Sequence, residues 1–216
     1  MRKLAFGLLV ATAGMAASSA ASAAVLFDFS SAPGNIGPTH TYTSGGLSVT
    51  ASGFNPSGSP IDLFGKNFGG DENGIGLAGA LDNEIATGFG FVQLDVGQLL
   101  GKVSLIQFFT GSTTNGETWN VYGSHTAGSY SGSPLISGTT EEIYNALPGL
   151  GTYKYYDFVS SGYSGDTPHN FLIGGLSVVP SVPEPATWAL MILGFGMIGG
   201  TLRRRRATTS LRYTAA

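Results

Sequence analysis

The chain has 216 residues, of which 34 are glycine and only 11% are charged. Because charged residues make up about a quarter of an average soluble protein, this composition is unusual for a cytosolic domain. Ten lysines and arginines against 13 acidic residues give a net charge of -3, which excludes most nucleic-acid binders because they need a basic face. The length suits one domain, and the absence of cysteine excludes a disulfide framework.

The charges divide the chain into an acidic middle and two basic ends. Residues 24–183 contain three lysines and twelve acidic residues, a net charge of -9. The other seven basic residues are Arg2, Lys3, Arg203, Arg204, Arg205, Arg206 and Arg212. Basic residues beside apolar runs are typical of targeting segments, so both ends are predicted to direct the protein to a membrane.

The N-terminus has the three parts of a secretory signal peptide. Arg2 and Lys3 precede an apolar run over residues 4–15, and small residues then lead to Ala21 and Ala23. Alanine at the third and first positions before the cut suits signal peptidase, which accepts only small side chains there. We therefore expect residues 1–23 to enter the Sec translocon and to be removed after Ala23.

Residues 24–180 are predicted to form an all-β ectodomain, an antiparallel β-sandwich or jelly roll. Short alternating apolar runs are separated by Gly, Ser, Asn and Pro clusters, and no run keeps a helical period for three turns. The seven candidate strands are residues 25–29, 47–51, 89–96, 103–110, 119–123, 153–159 and 171–179. In the third of them, Gln93 and Asp95 alternate with apolar residues, which predicts a sheet with one solvated face.

The densest polar segment lies at residues 69–84. Its hard oxygen donors are Asp71, Glu72, Asp82, Asn83 and Glu84, and nearby glycines would let backbone carbonyls turn inward. Calcium takes about six to eight oxygen ligands, so these residues are candidate Ca²⁺ ligands, and the ion would stabilise a domain that lacks cysteine. The alternative is a solvated acidic loop in which asparagine and aspartate cap turns, since the spacing is not that of an EF-hand.

The other chemistry-bearing patterns do not indicate an enzyme. Gly74, Gly76 and Gly79 satisfy the G-x-G-x-x-G pattern, but the polar stretch at residues 69–73 directly precedes it in place of a strand and no amphipathic helix follows, so nucleotide binding is not expected. Three histidines are far apart and are expected in loops, and no serine lies in a G-x-S-x-G pattern. We therefore predict a protein without catalytic residues.

Aromatic residues raise the question of carbohydrate binding, because aromatic rings pack against the faces of sugars. The body contains Trp119, Tyr130, Tyr144, Tyr153, Tyr155, Tyr156 and Tyr163. Strand alternation places Tyr153 and Tyr155 on one face and Tyr156 on the other, and one of these faces belongs to the core. We expect most of these rings to pack internally, with a sugar-binding platform as the alternative.

The C-terminal segment combines an apolar run with a basic end. Pro183, Glu184 and Pro185 precede the apolar residues 186–202, which span about 25 Å as a helix, at the short end for crossing a bilayer. The prolines limit the helix on one side, and Trp188 suits the membrane interface. The cluster Arg203, Arg204, Arg205 and Arg206 is predicted to stay cytoplasmic, followed by a cytoplasmic tail at residues 207–216.

The segment around residues 181–206 resembles the PEP-CTERM sorting domain, in its Pro-Glu-Pro-Ala-x-x-Trp variant. In that family the segment is recognised by an exosortase, a membrane-embedded cysteine transpeptidase, so the resemblance implies an exosortase partner. It also implies that Pro183, Glu184 and Pro185 are the recognition residues. The ten residues after the arginines depart from the usual pattern. The body looks like the sandwich ectodomains of such proteins, with galactose-binding-like jelly rolls as the nearest named fold.

Together these features predict an exported, non-enzymatic bacterial protein of the cell surface or extracellular matrix. The protein would first be an inner-membrane intermediate and would then be processed by the exosortase. The alternative is a carbohydrate-binding module that attaches to exopolysaccharide and is stabilised by Ca²⁺. No nucleic-acid partner is expected.

Overall fold

The computed structural model describes residues 23–113, 116–139, 145–181 and 185–206. The predicted signal peptide with Ala21, the sorting residues Pro183 and Glu184, and the tail after residue 206 lie outside the described residues. Residues 22–181 form one compact unit, and the C-terminal helix belongs to another. The two units are described separately below.

The first unit is almost entirely β-structure, with two short 3-10 turns at Phe29–Ser31 and Leu81–Asn83. Its strands in the described ranges are β1 Val25–Asp28, β2 Gly34–Gly37, β3 Thr39–Ser44, β4 Leu47–Phe54, β5 Leu63–Asn67, β6 Asn73–Leu77, β7 Ile85–Ala86, β8 Phe91–Asp95, β9 Val103–Gly111, β10 Thr118–Ser124, β11 Ile136–Gly138, β12 Asn145–Ala146, β13 Tyr155–Ser161, β14 Tyr163–Ser164, β15 Thr167–Pro168 and β16 Asn170–Pro180. All of their named pairings are antiparallel.

The strands form two large sheets and one small hairpin. The first sheet has the order β12-β9-β16-β6-β5-β2, and β1 and β7 also pair with β16. The second sheet has the order β11-β10-β13-β8-β4-β3, and β14 pairs with β15. Strand β16 is therefore the common neighbour of four strands that are distant in sequence, β1, β6, β7 and β9. These pairings bring together the polar side chains described in the next section.

One apolar core joins the two sheets. Phe108 of the first sheet packs edge-on against Trp119 and Phe158 of the second, with ring centroids 5.3 and 5.1 Å apart. All three side chains are at most 1% exposed. Because alternate residues of a strand point to opposite faces, each sheet supplies one apolar face to this core, which gives a sandwich-like arrangement.

The all-β prediction is confirmed, and all seven candidate strands are present within a few residues of their predicted limits. Gly45, Gly46 and Gly162, which follow or precede strands, have positive φ angles of 56°, 76° and 94°. The sequence prediction missed the short strands and the pair β5–β6. Those strands are rich in glycine and polar residues, so their apolar alternation is weak.

The expectation of a solvated face on β8 is wrong at Gln93, which is only 2% exposed. The loop after β10 covers this part of the sheet: Gln93 Nε2 donates to Thr126 O at 3.2 Å, and Gly128 N donates to Gln93 Oε1 at 3.1 Å. Gln93 Nε2 also donates to Asp157 Oδ1 at 2.7 Å. Burial raises the pKa of the fully buried Asp157 to about 7.

The second unit contains helix α1, Pro185–Arg206. Proline is well tolerated at its first position because the missing amide proton has no partner inside the helix. In the described part of the chain, no helix has both the length and the apolar character required to cross a membrane.

Candidate functional site

Four polar side chains meet at one end of β16. Lys66 lies near the end of β5, Glu72 in the turn before β6, Glu84 directly before β7, and Ser112 directly after β9. At this end of β16, Leu172 pairs with Gly111 and Ile173 with Ile75. The pairing of β16 with β6, β7 and β9 therefore brings together residues that are up to 46 positions apart. This group, Lys66, Glu72, Glu84 and Ser112, is called the Lys66 cluster below.

The ammonium group of Lys66 lies between the two carboxylates. Its Nζ is 2.6 Å from Glu72 Oε2 and 2.5 Å from Glu84 Oε1. Ser112 Oγ is 2.7 Å from Glu72 Oε1 and 2.8 Å from Glu84 Oε1. The side chains of Lys66 and Glu84 are 6% and 2% exposed, whereas that of Glu72 is 43% exposed. The cluster thus has a buried inner part and one carboxylate facing solvent.

Glycine allows the segments that carry the cluster to approach one another. A Cβ atom on Gly76 would overlap the carbonyl oxygen of Asn83 and the Cα atom of Glu84. A Cβ on Gly74 would overlap the carbonyl oxygen of Ile173, and its φ of +146° also disfavours other residues. Gly74 and Gly76, the first two glycines of the G-x-G-x-x-G pattern, therefore have a packing role in strand β6.

The two glutamates of the cluster have opposite electrostatic environments. The hydrogen bond from Lys66 lowers the pKa of Glu72. Burial raises the pKa of Glu84 to about 7, although its hydrogen bond from Lys66 acts in the opposite direction. Lys66 is itself desolvated, but its hydrogen bonds to Glu72 and Glu84 outweigh burial and raise its pKa.

These directions assign the charges within the cluster. Lys66 and Glu72 form the ion pair, and Glu84 is the member that takes a proton near neutral pH. A serine hydroxyl has a single proton and cannot donate to both Glu72 and Glu84 at once. A proton on Glu84 relieves the repulsion between the two neighbouring carboxyl groups, in agreement with its raised pKa.

A cavity of about 500 Å³ opens beside the cluster. Besides the cluster itself, it is lined by Phe64, Phe68, Asp82, Asn83 and Asn170. Phe68 is 75% exposed, although phenylalanine is usually buried. The cavity therefore combines several hydrogen-bonding groups with an aromatic ring that is open to solvent.

The predicted calcium ligands do not form one group. Glu72 and Glu84 come together at Lys66, whereas Asp71 and Asp82 are exposed. Asn83 Oδ1 accepts a hydrogen bond from Gly79 N at 2.9 Å, which is the turn-capping role of the alternative interpretation. Among the described residues, no group of three or more acidic or histidine side chains is placed to hold a metal ion. Calcium binding stays a prediction.

The aromatic residues considered for sugar binding lie mostly inside the fold. Trp119 and Tyr156 are at most 1% exposed, and Tyr153 packs against Tyr156 at the edge of the core. Tyr163 is 58% exposed, and Tyr155 accepts a hydrogen bond from Lys154 at 2.8 Å. Tyr144 lies outside the described residues. The ring beside the polar cavity is Phe68, which the sequence prediction did not consider.

The sequence reasoning also missed Lys66, Ser112 and Asn170. Lys66 is one of only three lysines between the basic ends, and it stands within an otherwise apolar and glycine-containing strand. A lone lysine in such a strand was a usable signal, because a buried ammonium group needs acidic partners. Ser112 and Asn170 had no comparable signal, since serine and asparagine are common in turns of this chain.

Helix α1, Pro185–Arg206, contains the part of the predicted sorting segment that the structure describes. Trp188 is 51% exposed, and Ile192, Leu193, Phe195, Met197 and Ile198 are 58–70% exposed. The helix ends at Arg206, the last of the four arginines.

Comparison with known families identifies this signal. Residues 181–206 match the PEP-CTERM protein-sorting motif, so the predicted resemblance is confirmed for this segment. The motif implies export, membrane-anchored sorting and an exosortase as the processing partner. No curated protein and no solved structure matches the chain.

Proposed function

We propose that this protein is an exported, non-enzymatic component of the bacterial cell surface or extracellular matrix, sorted through its PEP-CTERM segment. The observation that carries the proposal is the match at residues 181–206, which contains helix α1. The β-rich unit is the cargo, with a jelly-roll-like sandwich fold supported by its two antiparallel sheets and their common core. The N-terminal signal peptide would direct the chain to the Sec translocon.

Helix α1 is proposed to hold the protein at the inner membrane before processing. Its described apolar side chains are largely exposed within the unit, so they are available to lipid or to another helix. The arginines at residues 203–206 would remain on the cytoplasmic side, because positively charged segments resist translocation. The Pro-Glu-Pro residues lie between the exported body and these arginines in the sequence, and the exosortase would meet them there.

Mass spectrometry of the protein from cells that produce an exosortase tests this proposal. We expect the mature chain to begin at Ala24 and to end close to Pro183. Glu184→Ala should retain the C-terminal segment and keep the protein in the membrane fraction, and Glu117→Ala is a matched acidic control outside the motif. A mature wild-type protein that still ends at Ala216 would contradict exosortase processing.

A second candidate function is carbohydrate binding. The observation that favours it is the polar cavity beside the exposed ring of Phe68. Small polar ligands are held in concave sites by a few convergent hydrogen-bonding groups, and aromatic rings supply apolar contact area. Retention of the purified protein on immobilised extracellular polysaccharide would support this function, and turnover of a bound glycan would contradict the non-enzymatic assignment.

A further inference from the structure

The cavity beside the Lys66 cluster is lined by a buried carboxyl group, and one of its oxygens has no partner among the described residues. Glu84 lines the cavity with a side chain that is 2% exposed. Its Oε1 contacts Lys66 and Ser112, whereas its Oε2 has no hydrogen-bond partner among the described residues. A buried carboxyl oxygen without a partner is costly, so the cavity wall beside Glu84 contains a polar group that the fold itself does not satisfy.

The wall next to Glu84 presents further polar groups. Asp82 and Asn83 are consecutive residues with positive φ angles of 54° and 59°, a conformation that costs energy for residues other than glycine. Asn83 uses its Oδ1 to cap the turn at Gly79, which leaves the Nδ2 group as its donor. Asn170 donates to Leu81 O at a long 3.4 Å, so its amide is only weakly engaged. The wall thus holds both donors and acceptors.

Phe68 provides an apolar surface at the same cavity. The residue lies in the turn between β5 and β6, where its backbone amide donates to Glu72 O at 3.3 Å. This bond lies within the single turn that carries both the ring and Glu72, a member of the Lys66 cluster. The ring is 75% exposed, so a ligand that covers it would remove apolar surface from water. Removing that surface from water favours binding.

A saccharide has the chemistry that this combination accepts. One face of a pyranose ring carries C–H groups that pack against an aromatic ring, and its hydroxyls both donate and accept hydrogen bonds. At this cavity the acidic side chains of Glu72 and Asp82 outnumber the single basic side chain of Lys66. The surrounding segment, residues 24–183, also has a net charge of -9. These charges repel acidic polysaccharides and therefore favour a neutral one.

We propose that this cavity binds a sugar unit of a neutral polysaccharide, with Phe68 covering the sugar face and Asp82 and Asn83 bonding its hydroxyls beside the buried carboxyl group of Glu84. The inference rests on the carbohydrate-binding function proposed above and adds the site and the ligand class. The aromatic residue that contacts the sugar in this proposal is Phe68, and not Trp119 or one of the tyrosines considered in the sequence analysis.

Affinity electrophoresis of the full-length protein in detergent tests the proposal. The gels contain dextran, galactomannan, xyloglucan or soluble starch as neutral probes, and alginate as the acidic probe. We expect at least one neutral polymer to retard the protein and alginate not to retard it. Phe68→Ala should weaken binding of that polymer by about tenfold, because it removes a ring-sized apolar contact, and Phe68→Trp should preserve binding.

Matched variants separate the site from general effects on folding. Tyr163→Ala removes another ring that is exposed, outside the cavity, and should leave binding unchanged. Asn83→Asp keeps the capping oxygen but removes the donor, and should weaken binding while leaving the melting temperature nearly unchanged. Circular dichroism of each variant confirms that the comparison is made on folded protein.

The outcomes distinguish the two proposals. If the neutral polymers and alginate all fail to retard the wild-type protein, the carbohydrate-binding function and the site are both overturned. If a neutral polymer binds wild type and Phe68→Ala equally well, the function stands and the site is wrong. Retardation by alginate in preference to the neutral polymers would overturn the ligand class.

Discussion

Replacing Glu84 with glutamine should remove a pH-dependent loss of stability. Glutamine has nearly the shape of the protonated glutamate, so Glu84→Gln imitates the neutral state at every pH. In the wild-type protein, burial raises the pKa of Glu84 from 4.5 to about 7. The folded protein therefore binds this proton more tightly than the unfolded chain does, and the stabilising contribution is fully present below about pH 4.5.

The magnitude follows from the size of the pKa change. Raising the pKa from 4.5 to about 7 corresponds, at about 1.4 kcal/mol for each pH unit, to about 3 kcal/mol. This amount of wild-type stability is lost as the pH rises from about 4.5 through about 7. Glu84→Gln lacks this loss, so its free energy of unfolding should gain about 3 kcal/mol relative to wild type over the same range.

Urea unfolding of the two proteins between about pH 4 and pH 8 measures this difference. Glu72→Gln is the matched control from the same cluster. The pKa of Glu72 is lowered, so its stabilising contribution is present at neutral pH and is lost as the pH falls. The glutamine variant at position 72 should therefore be less stable than wild type at neutral pH, and the difference should shrink in acid.

Equal pH dependence of wild type and Glu84→Gln would refute this reasoning. That result would mean that Glu84 has an ordinary pKa in the folded protein and that Lys66 forms an ion pair with both glutamates. A stability gap that widens toward low pH would also refute it, because that result would mean that folding lowers the pKa of Glu84.

Three further predictions concern other parts of the β-rich unit. The free energy of unfolding of Asp157→Asn should rise by about 4 kcal/mol relative to wild type between about pH 4 and about pH 7, because burial raises the pKa of Asp157 from 3.8 to about 7. Urea unfolding that shows no such rise would contradict this prediction. Gly76→Ala should lower the free energy of unfolding by about 3 kcal/mol, since its Cβ would overlap backbone atoms of Asn83 and Glu84, and an unchanged unfolding midpoint would show that this approach is not tight. If calcium binds as the acidic segment predicts, EGTA lowers the melting temperature and Asp71→Ala reproduces the shift; a melting temperature that EGTA leaves unchanged excludes a stabilising ion.

Much of the β-structure was predictable because strand alternation is a local signal. The run containing Leu94 alternates apolar and polar residues, and the runs containing Phe108 and Leu176 are largely apolar and of strand length, so all three mark strands without knowledge of their partners. Strands β5 and β6 were not predictable in this way, because Gly65, Gly74 and Gly76 interrupt the apolar pattern. In the structure these strands gain their stability from pairing and from close backbone approach.

The candidate site was only partly predictable. Glu72 and Glu84 were selected because acidic residues concentrate in their segment, but the same signal also selected Asp71 and Asp82, which point to solvent. Lys66 and Ser112 change the interpretation from a cluster of ligands to an internal ion pair with a protonatable neighbour. Local composition indicates where acidic residues are dense, but it does not reveal which cation lies beside them.

The sorting signal of this protein can be recognised from the sequence itself, because a sorting motif is a linear arrangement of prolines, apolar residues and arginines that a partner recognises locally. The cavity and the Lys66 cluster depend on the tertiary structure. They exist because β16 pairs with strands from distant parts of the chain and because Gly76 lets two backbones come within contact distance. Pairing register is a property of the whole sheet, so the chemistry of the site becomes visible only after the strands are assembled.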